Sequence, residues 1–214
     1  ITLSYFPEKD LGWQRTITPY ISSIVYQQVL LVNLTHSFAE LKQDFRKSYR
    51  GLINKGLSLW EHKVYTAMSD DLLEQFRQFH IEIAGKETRS RETWQLQQKM
   101  INEGEAFYIT LYDKGNKNKL VGGALFNLSP AQASYSVGVY DRSLFDQPIS
   151  HVIQHLAINH FKEIGVECYV LGLRHHSFEH PAPTSKETSI GFFKEGFSNT
   201  TAIEATVTLA FTPV

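Results

Sequence analysis

The sequence predicts a mixed α/β (α+β) fold in which a central mixed, mostly antiparallel sheet is flanked by helices. Three observations predict it. From Leu57 onward the element types read as strand, two helices, three consecutive strands, helix, strand, helix and strand, an order that places helices over a sheet. Glu105–Asp113 and Leu120–Leu128 are rich in β-formers and flank the polar turn Lys114-Gly-Asn-Lys-Asn, a hairpin signal. The segments between strands space apolar residues by three and four, the period of a helix with one buried face.

Residues 1–28 carry weak signals and read as a lead-in or the remnant of a preceding domain, with Tyr20–Tyr26 as a short strand or helix. Residues 29–214 read as one domain. Val29–Leu34 is a compact apolar run suited to a buried strand. Thr35 or Ser37 then caps a helix expected to run unbroken to about Lys55, where Gly56 stops it. Leu57–Tyr65 alternates as a strand. Ser69 opens a helix with Asp70 and Asp71 in its first turn, where acids are favoured, and Gly85 ends it. A further helix with Trp94, Gln97 and Ile101 on one side ends near Gly104. After the hairpin, Gln132–Val139 supplies a third antiparallel strand.

Ile149–Ile164 is a helix with Val152, Ile153, Leu156, Ala157, Phe161 and Ile164 expected inward. Val166–Leu173 is an apolar strand, and Arg174–Pro183 an irregular loop with three histidines. Thr184 and Glu187 then have the spacing of a capping box. They open a helix in which Ile190 and Phe193 face a core, and Gly196 is expected to end it in a positive-φ conformation. Ile203–Phe211 closes the chain as a strand.

Composition bounds the function. Among 214 residues, 42% are hydrophobic and 20% charged, the balance of a globular protein. The net charge of −1 argues against a broadly basic surface for coating DNA. A single cysteine, Cys168, read as core, excludes an internal disulfide framework and suits a reducing, cytoplasmic setting. No apolar run reaches transmembrane length.

Several residue groups are candidates for chemistry. Arg46, Lys47 and Arg50 lie within about one helical turn and suit a diphosphate or a tRNA end, or else form a solvated helix face. Arg174, His175 and His176 follow a strand at its C-terminal end, where α/β sheets often place sites. Either histidine suits a general base, since imidazole titrates near neutrality; the alternative is polar loop filler. His151 and His155 have a zinc-ligand spacing, but Val152 stands where a metalloprotease needs Glu and no third ligand is evident, so no metal is expected.

Three segments carry a family resemblance. VNLTHSFAELKQDFRKSYRGLINKG pairs a strand with a basic helix, VGGALF runs through SVGVYDRSLF to YVLGLR, and SIGFFKEGF has a Phe-Lys-x-Gly-Phe element. Together they span roughly residues 29–211 and resemble the FemABX and FemAB-like acyl- and aminoacyltransferases, of the GNAT-like acyl-CoA N-acyltransferase fold. The resemblance implies a transfer site at Phe193 and Lys194, with Lys194 polarising the acyl carbonyl. It places Tyr140 and Asp141 where the central strands splay, with Asp141 orienting an acceptor amine or acting as a weak base, or else simply forming a turn. It sets Arg89 and Trp94 in a linker bordering the acceptor, the alternative being helix capping and a core tryptophan. It also implies an acyl-CoA or aminoacyl-tRNA donor, no tightly bound cofactor, and a small-molecule or nucleotide-linked amine acceptor such as a cell-envelope precursor. The glycine-rich pyrophosphate loop of acetyl-CoA-dependent members is replaced by Val139-Tyr-Asp-Arg-Ser-Leu-Phe-Asp-Gln-Pro. An acetyl-CoA-dependent N-acetyltransferase and a non-catalytic module for a phosphorylated ligand are the alternatives.

Overall fold

The structure is a computed structural model that describes residues 1–6, 12–116, 119–130 and 132–211. Lys117 and Asn118 of the expected hairpin turn lie outside the described residues. Eight strands and seven α-helices fall into two compact units among these residues, one of residues 33–170 and one of residues 1–32 and 171–214.

The 33–170 unit contains α2 (Phe38–Asp44), α3 (Lys47–Leu59), β3 (Trp60–Tyr65), α4 (Asp70–Ala84), α5 (Arg91–Asn102), β4 (Ala106–Asp113), β5 (Leu120–Leu128), β6 (Gln132–Tyr140) and α6 (Ile149–Glu163). Strands β3, β4, β5 and β6 pair antiparallel in that order. The first residues of β7 (Cys168–Arg174) pair parallel to β6 over only three positions, Gln132–Ser134 with Cys168–Val170.

Side-chain alternation along β4 sorts the core into two layers. Tyr108 meets Phe76 of α4 at 4.5 Å, and Trp94 of α5 packs edge-on to Phe76. Phe107 meets Phe161 of α6 at 5.3 Å and stacks on Phe126 at 5.0 Å. These rings are all buried, and each contributes roughly 1.5–3 kcal/mol by leaving water.

Helix starts follow the expected chemistry. Ser69 and Ser90 cap α4 and α5, and Gly85 at φ 72° ends α4. The helix expected to run unbroken to Lys55 is instead two helices. Ser37 and Glu40 form a complete capping box for α2. The chain then leaves helical geometry at Phe45 (ψ 139°) and Arg46 (ψ 130°), which lets Phe45 bury its ring. Gly56 does not stop α3, which continues to Leu59. It is a packing glycine: a Cβ there would overlap the Val152 side chain of α6.

The 1–32 and 171–214 unit contains β1 (Thr2–Tyr5), α1 (Gln14–Ile17), β2 (Ile21–Asn33), the end of β7, α7 (Ser185–Glu195) and β8 (Thr200–Leu209). β8 pairs antiparallel with both β1 and β2. The expected short strand at residues 29–34 is the buried end of this 13-residue β2. Its first half, expected as a short strand or helix at Tyr20–Tyr26, is strand from Ile21 and carries Ile24, Val25 and Tyr26 in exposed positions.

Candidate functional site

Chemistry-bearing residues concentrate where β7 passes into the loop before α7. The capping box is present at the start of α7: Thr184 Oγ1 accepts from the Glu187 N–H at 3.2 Å, and Glu187 Oε2 accepts from the Thr184 N–H at 2.7 Å. The C-terminus differs from expectation. Gly196 has φ −68°, and α7 closes with tight turns, Gly196 N–H to Phe193 O and Phe197 N–H to Lys194 O. Such i→i+3 bonds satisfy the last carbonyls without a left-handed residue.

Ile190 faces outward, contrary to expectation, and so does Phe192. Gly191 is the buried residue of α7. A Cβ on it would lie 3.5 Å from the His175 backbone nitrogen and 3.6 Å from the Leu173 carbonyl oxygen. The helix backbone therefore rests on the end of β7, and Lys194, three residues on, shares that face. The Lys194 ammonium reaches Gly172 of β7, whose φ is 118° and whose Cβ, if present, would lie 2.6 Å from Nζ. Burial lowers the Lys194 pKa. Phe193 packs edge-on to the fully buried Phe197 at 5.6 Å, which fixes the helix end.

The loop orders its ionisable groups around these two elements. Arg174 Nε pairs with Glu195 Oε1 at 3.3 Å, and its Nη1 donates to the His175 carbonyl. His175 Nδ1 lies 2.9 Å from Glu179 Oε2, and Glu179 Oε1 accepts from the His176 N–H at 2.7 Å. The His175 hydrogen bond holds the Glu179 carboxyl below its usual range. His176 Nε2 lies 2.7 Å from Gln28 Oε1, and its ring stacks on Phe178. Gln28 and Glu195 also line a cavity of about 430 Å³ with Leu30, Ser198, Asn199 and Thr201. Lys194, Phe193, Arg174, His175 and His176 are thus brought together in one unit. Sequence reasoning missed Glu179, Gln28 and Gly172. The Glu four residues after His175 was a visible signal, whereas Gln28 is 148 residues from His176.

The remaining candidates lie in the 33–170 unit. Arg46 donates to the Tyr49 hydroxyl at 3.0 Å and sits over its ring, Lys47 is exposed, and Arg50 is half-buried with its Nε enclosed. His151 packs edge-on to Tyr49, while His155 lies 3.3 Å from the Asn159 amide. Burial pushes both imidazoles down to about 4, helped by Arg46 for His151 and by Lys42 and His62 for His155.

Tyr140 hydrogen-bonds to Tyr135 at 3.0 Å, and burial pushes both phenols up, Tyr135 to about 12. Asp141 accepts from the Ser143 N–H and hydroxyl and pairs with Lys119 at 3.2 Å, so it caps a turn. Burial raises its pKa, but the Ser143 hydrogen bonds and Lys119 outweigh it and the net shift is downward. Asp141 and Lys119 border a cavity of about 380 Å³ with Gln75, Phe79 and Glu82. Trp94 is 1% exposed and serves the core rather than an open surface; Arg89 covers its ring at 5.9 Å. Cys168, expected in the core, is half-buried. No helix among the described residues is long and apolar enough to cross a membrane.

No protein-family model matches the chain, and no curated protein matches it by sequence. Solved structures do. FemX superposes with a TM-score of 0.68 at 11% identity, over 96% of this chain and 71% of that one. L-PGS from Bacillus licheniformis gives 0.64 at 14% identity, over 94% and 65%. A tandem GNAT protein from the clavulanic acid biosynthesis pathway gives 0.50 at 14% identity, over 96% and 63%. The chain therefore spans roughly two thirds of the length of these structures. At such identities the likeness is one of fold: the chain has the mixed α/β, GNAT-like fold of FemX and L-PGS.

Proposed function

We propose that this chain is a FemAB-like transferase that moves an acyl or aminoacyl group onto an amine of a cell-envelope precursor or nucleotide-linked sugar. The observation that carries the reading is the Lys194 ammonium, half-buried and seated against Gly172 at the end of β7. A cation held in a partly desolvated position polarises an acyl carbonyl and stabilises the oxyanion that forms as the amine attacks, without reorganising at the moment of reaction. One preorganised donor of this kind supplies about 3–4 kcal/mol. Binding both substrates side by side supplies the rest through proximity, so transfer is direct and needs no covalent enzyme intermediate. The donor is an aminoacyl-tRNA or an acyl thioester, and Arg46, Lys47 and Arg50 supply cations for a phosphate-bearing substrate.

The fold likeness to FemX and L-PGS supports the aminoacyl branch of this reading, and the likeness to a tandem GNAT protein supports the acetyl-CoA branch. Incubating the protein with aminoacyl-tRNA or acetyl-CoA and a set of amine acceptors, including UDP-linked sugars and peptides, tests it. Transfer that falls about 100-fold or more in Lys194→Ala is the expected result. Transfer undiminished in that variant overturns the site assignment, and binding of a phosphorylated ligand without any transfer favours a non-catalytic module. Acetyl-CoA at 100 times its dissociation constant would raise stability by about 2.7 kcal/mol if it is the donor.

A further inference from the structure

The two histidines that follow β7 are held in opposite ways. His176 places Nε2 2.7 Å from the Gln28 side-chain amide, so that nitrogen is engaged by Gln28. His175 turns its other nitrogen, Nδ1, to Glu179 Oε2 at 2.9 Å. A carboxylate accepts and cannot donate, so Nδ1 donates to Glu179 and Nε2 is the ring nitrogen which that bond leaves. Glu179 is itself fixed at both oxygens, since Oε1 accepts from the His176 N–H at 2.7 Å and the Glu179 N–H donates to the His176 carbonyl. A carboxylate clamped in this way sets both the tautomer and the ring direction of its imidazole partner. The backbone of His175 rests on Gly191 of α7, three residues before Lys194.

From this geometry we infer that His175 is the general base of the transfer and that Glu179 is its positioning residue. The inference rests on the transferase reading. The acceptor nitrogen forms the new C–N bond to the acyl carbon while its proton passes to His175 Nε2. The C–O bond of an aminoacyl ester, or the C–S bond of a thioester, then breaks with the leaving oxygen or sulfur taking that proton. Glu179 stabilises the transient imidazolium without accepting its proton. Among the described residues, the titratable and charged groups beside His175 include Glu179 and His176 in its own loop, Arg174 before it, and Glu187 on α7.

Nitrogen-15 spectra of the histidine rings at neutral pH read the arrangement without any substrate. The expected result is a proton on Nδ1 of His175, with His175 becoming a mixture of tautomers in Glu179→Ala and moving its proton to Nε2 in Glu179→Gln, whose oxygen takes the His176 N–H and whose amide NH2 then faces Nδ1. A proton on His175 Nε2 in the unaltered protein overturns the inference. With whichever donor, acetyl-CoA or aminoacyl-tRNA, shows Lys194-dependent transfer, His175→Gln should lower kcat on the order of 100-fold. Glu179→Gln should lower kcat with little change in KM, and Glu179→Asp should restore part of it. Loss in Lys194→Ala with full kcat in His175→Gln and Glu179→Gln would sink the dyad and leave the transferase reading standing. Absence of transfer by the unaltered protein from either donor overturns both.

Discussion

The Lys194 ammonium stands against Gly172 so closely that a methyl group at position 172 would come within 2.6 Å of it. The helix end and the strand end are therefore matched through one missing side chain. The φ of 118° at Gly172 adds a second requirement, because L-residues rarely adopt it. Gly172→Ala should lower stability by about 1–3 kcal/mol through backbone strain and displace the lysine. Urea unfolding reads the first effect, and the loss of transfer in the surviving folded fraction reads the second. A variant with unaltered stability and transfer would show that the seat is not needed.

Lys194 itself separates stability from activity. Its pKa is lowered by burial, so its charged form is disfavoured in the folded state. A group of this kind makes folding less favourable at neutral pH. Lys194→Met should therefore be at least as stable as the unaltered protein by thermal unfolding while losing transfer. A marked fall in melting temperature would reveal that Lys194 is a structural residue.

Acid should weaken the 33–170 unit in a defined window. His151 and His155 are held neutral, with pKa values pushed from 6.5 to about 4 chiefly by burial. Between these values the unfolded chain binds more protons, so stability falls as pH drops from 6.5 to about 4 and flattens below. Neither ring is fully enclosed, so solvent screening keeps each contribution well below the full value of about 1.4 kcal/mol per pKa unit, on the order of 1–2 kcal/mol. Urea midpoints measured across this range should show a shallower pH dependence in the His151→Gln, His155→Gln double variant. An unchanged slope would assign the acid sensitivity to carboxylates.

Gly138 holds open the space for the hydrogen-bonded Tyr135 and Tyr140 pair. A Cβ there would overlap the Tyr135 hydroxyl and come 2.8 Å from that of Tyr140. The bulge that offsets β6 against β5 between Tyr135 and Val137 turns both tyrosines to the same face. Gly138→Ala should cost about 1–3 kcal/mol by overpacking. The spectral signature of the two phenols should change with it, and Tyr135→Phe in the same background should recover part of the loss. No recovery would place the strain elsewhere.

Much of this architecture was legible in the order of residues. Thr184 with Glu187, the Ser69 cap with the Gly85 stop, and the buried stripe Trp94, Gln97, Ile101 were each readable and each is present. So was the fold class, from three successive strands between helices. What failed did so for lack of local signal. β2 has an exposed first half, Gly56 looks like a stop until Val152 is seen pressing on it, and Phe45 breaks a regular helical period to reach the core.

The sequence by itself determined the caps, the hairpin, the helical faces and the residue types available for chemistry. These depend on hydrogen bonds and periodicity within a turn or two of chain, where neighbours in sequence are neighbours in space. The tertiary structure alone decided that His176 meets Gln28, that Lys194 meets Gly172, and that Trp94 is enclosed. Such pairings form only when distant segments close on one another, and their partners are set by the packing of whole elements, which no short stretch of residues encodes.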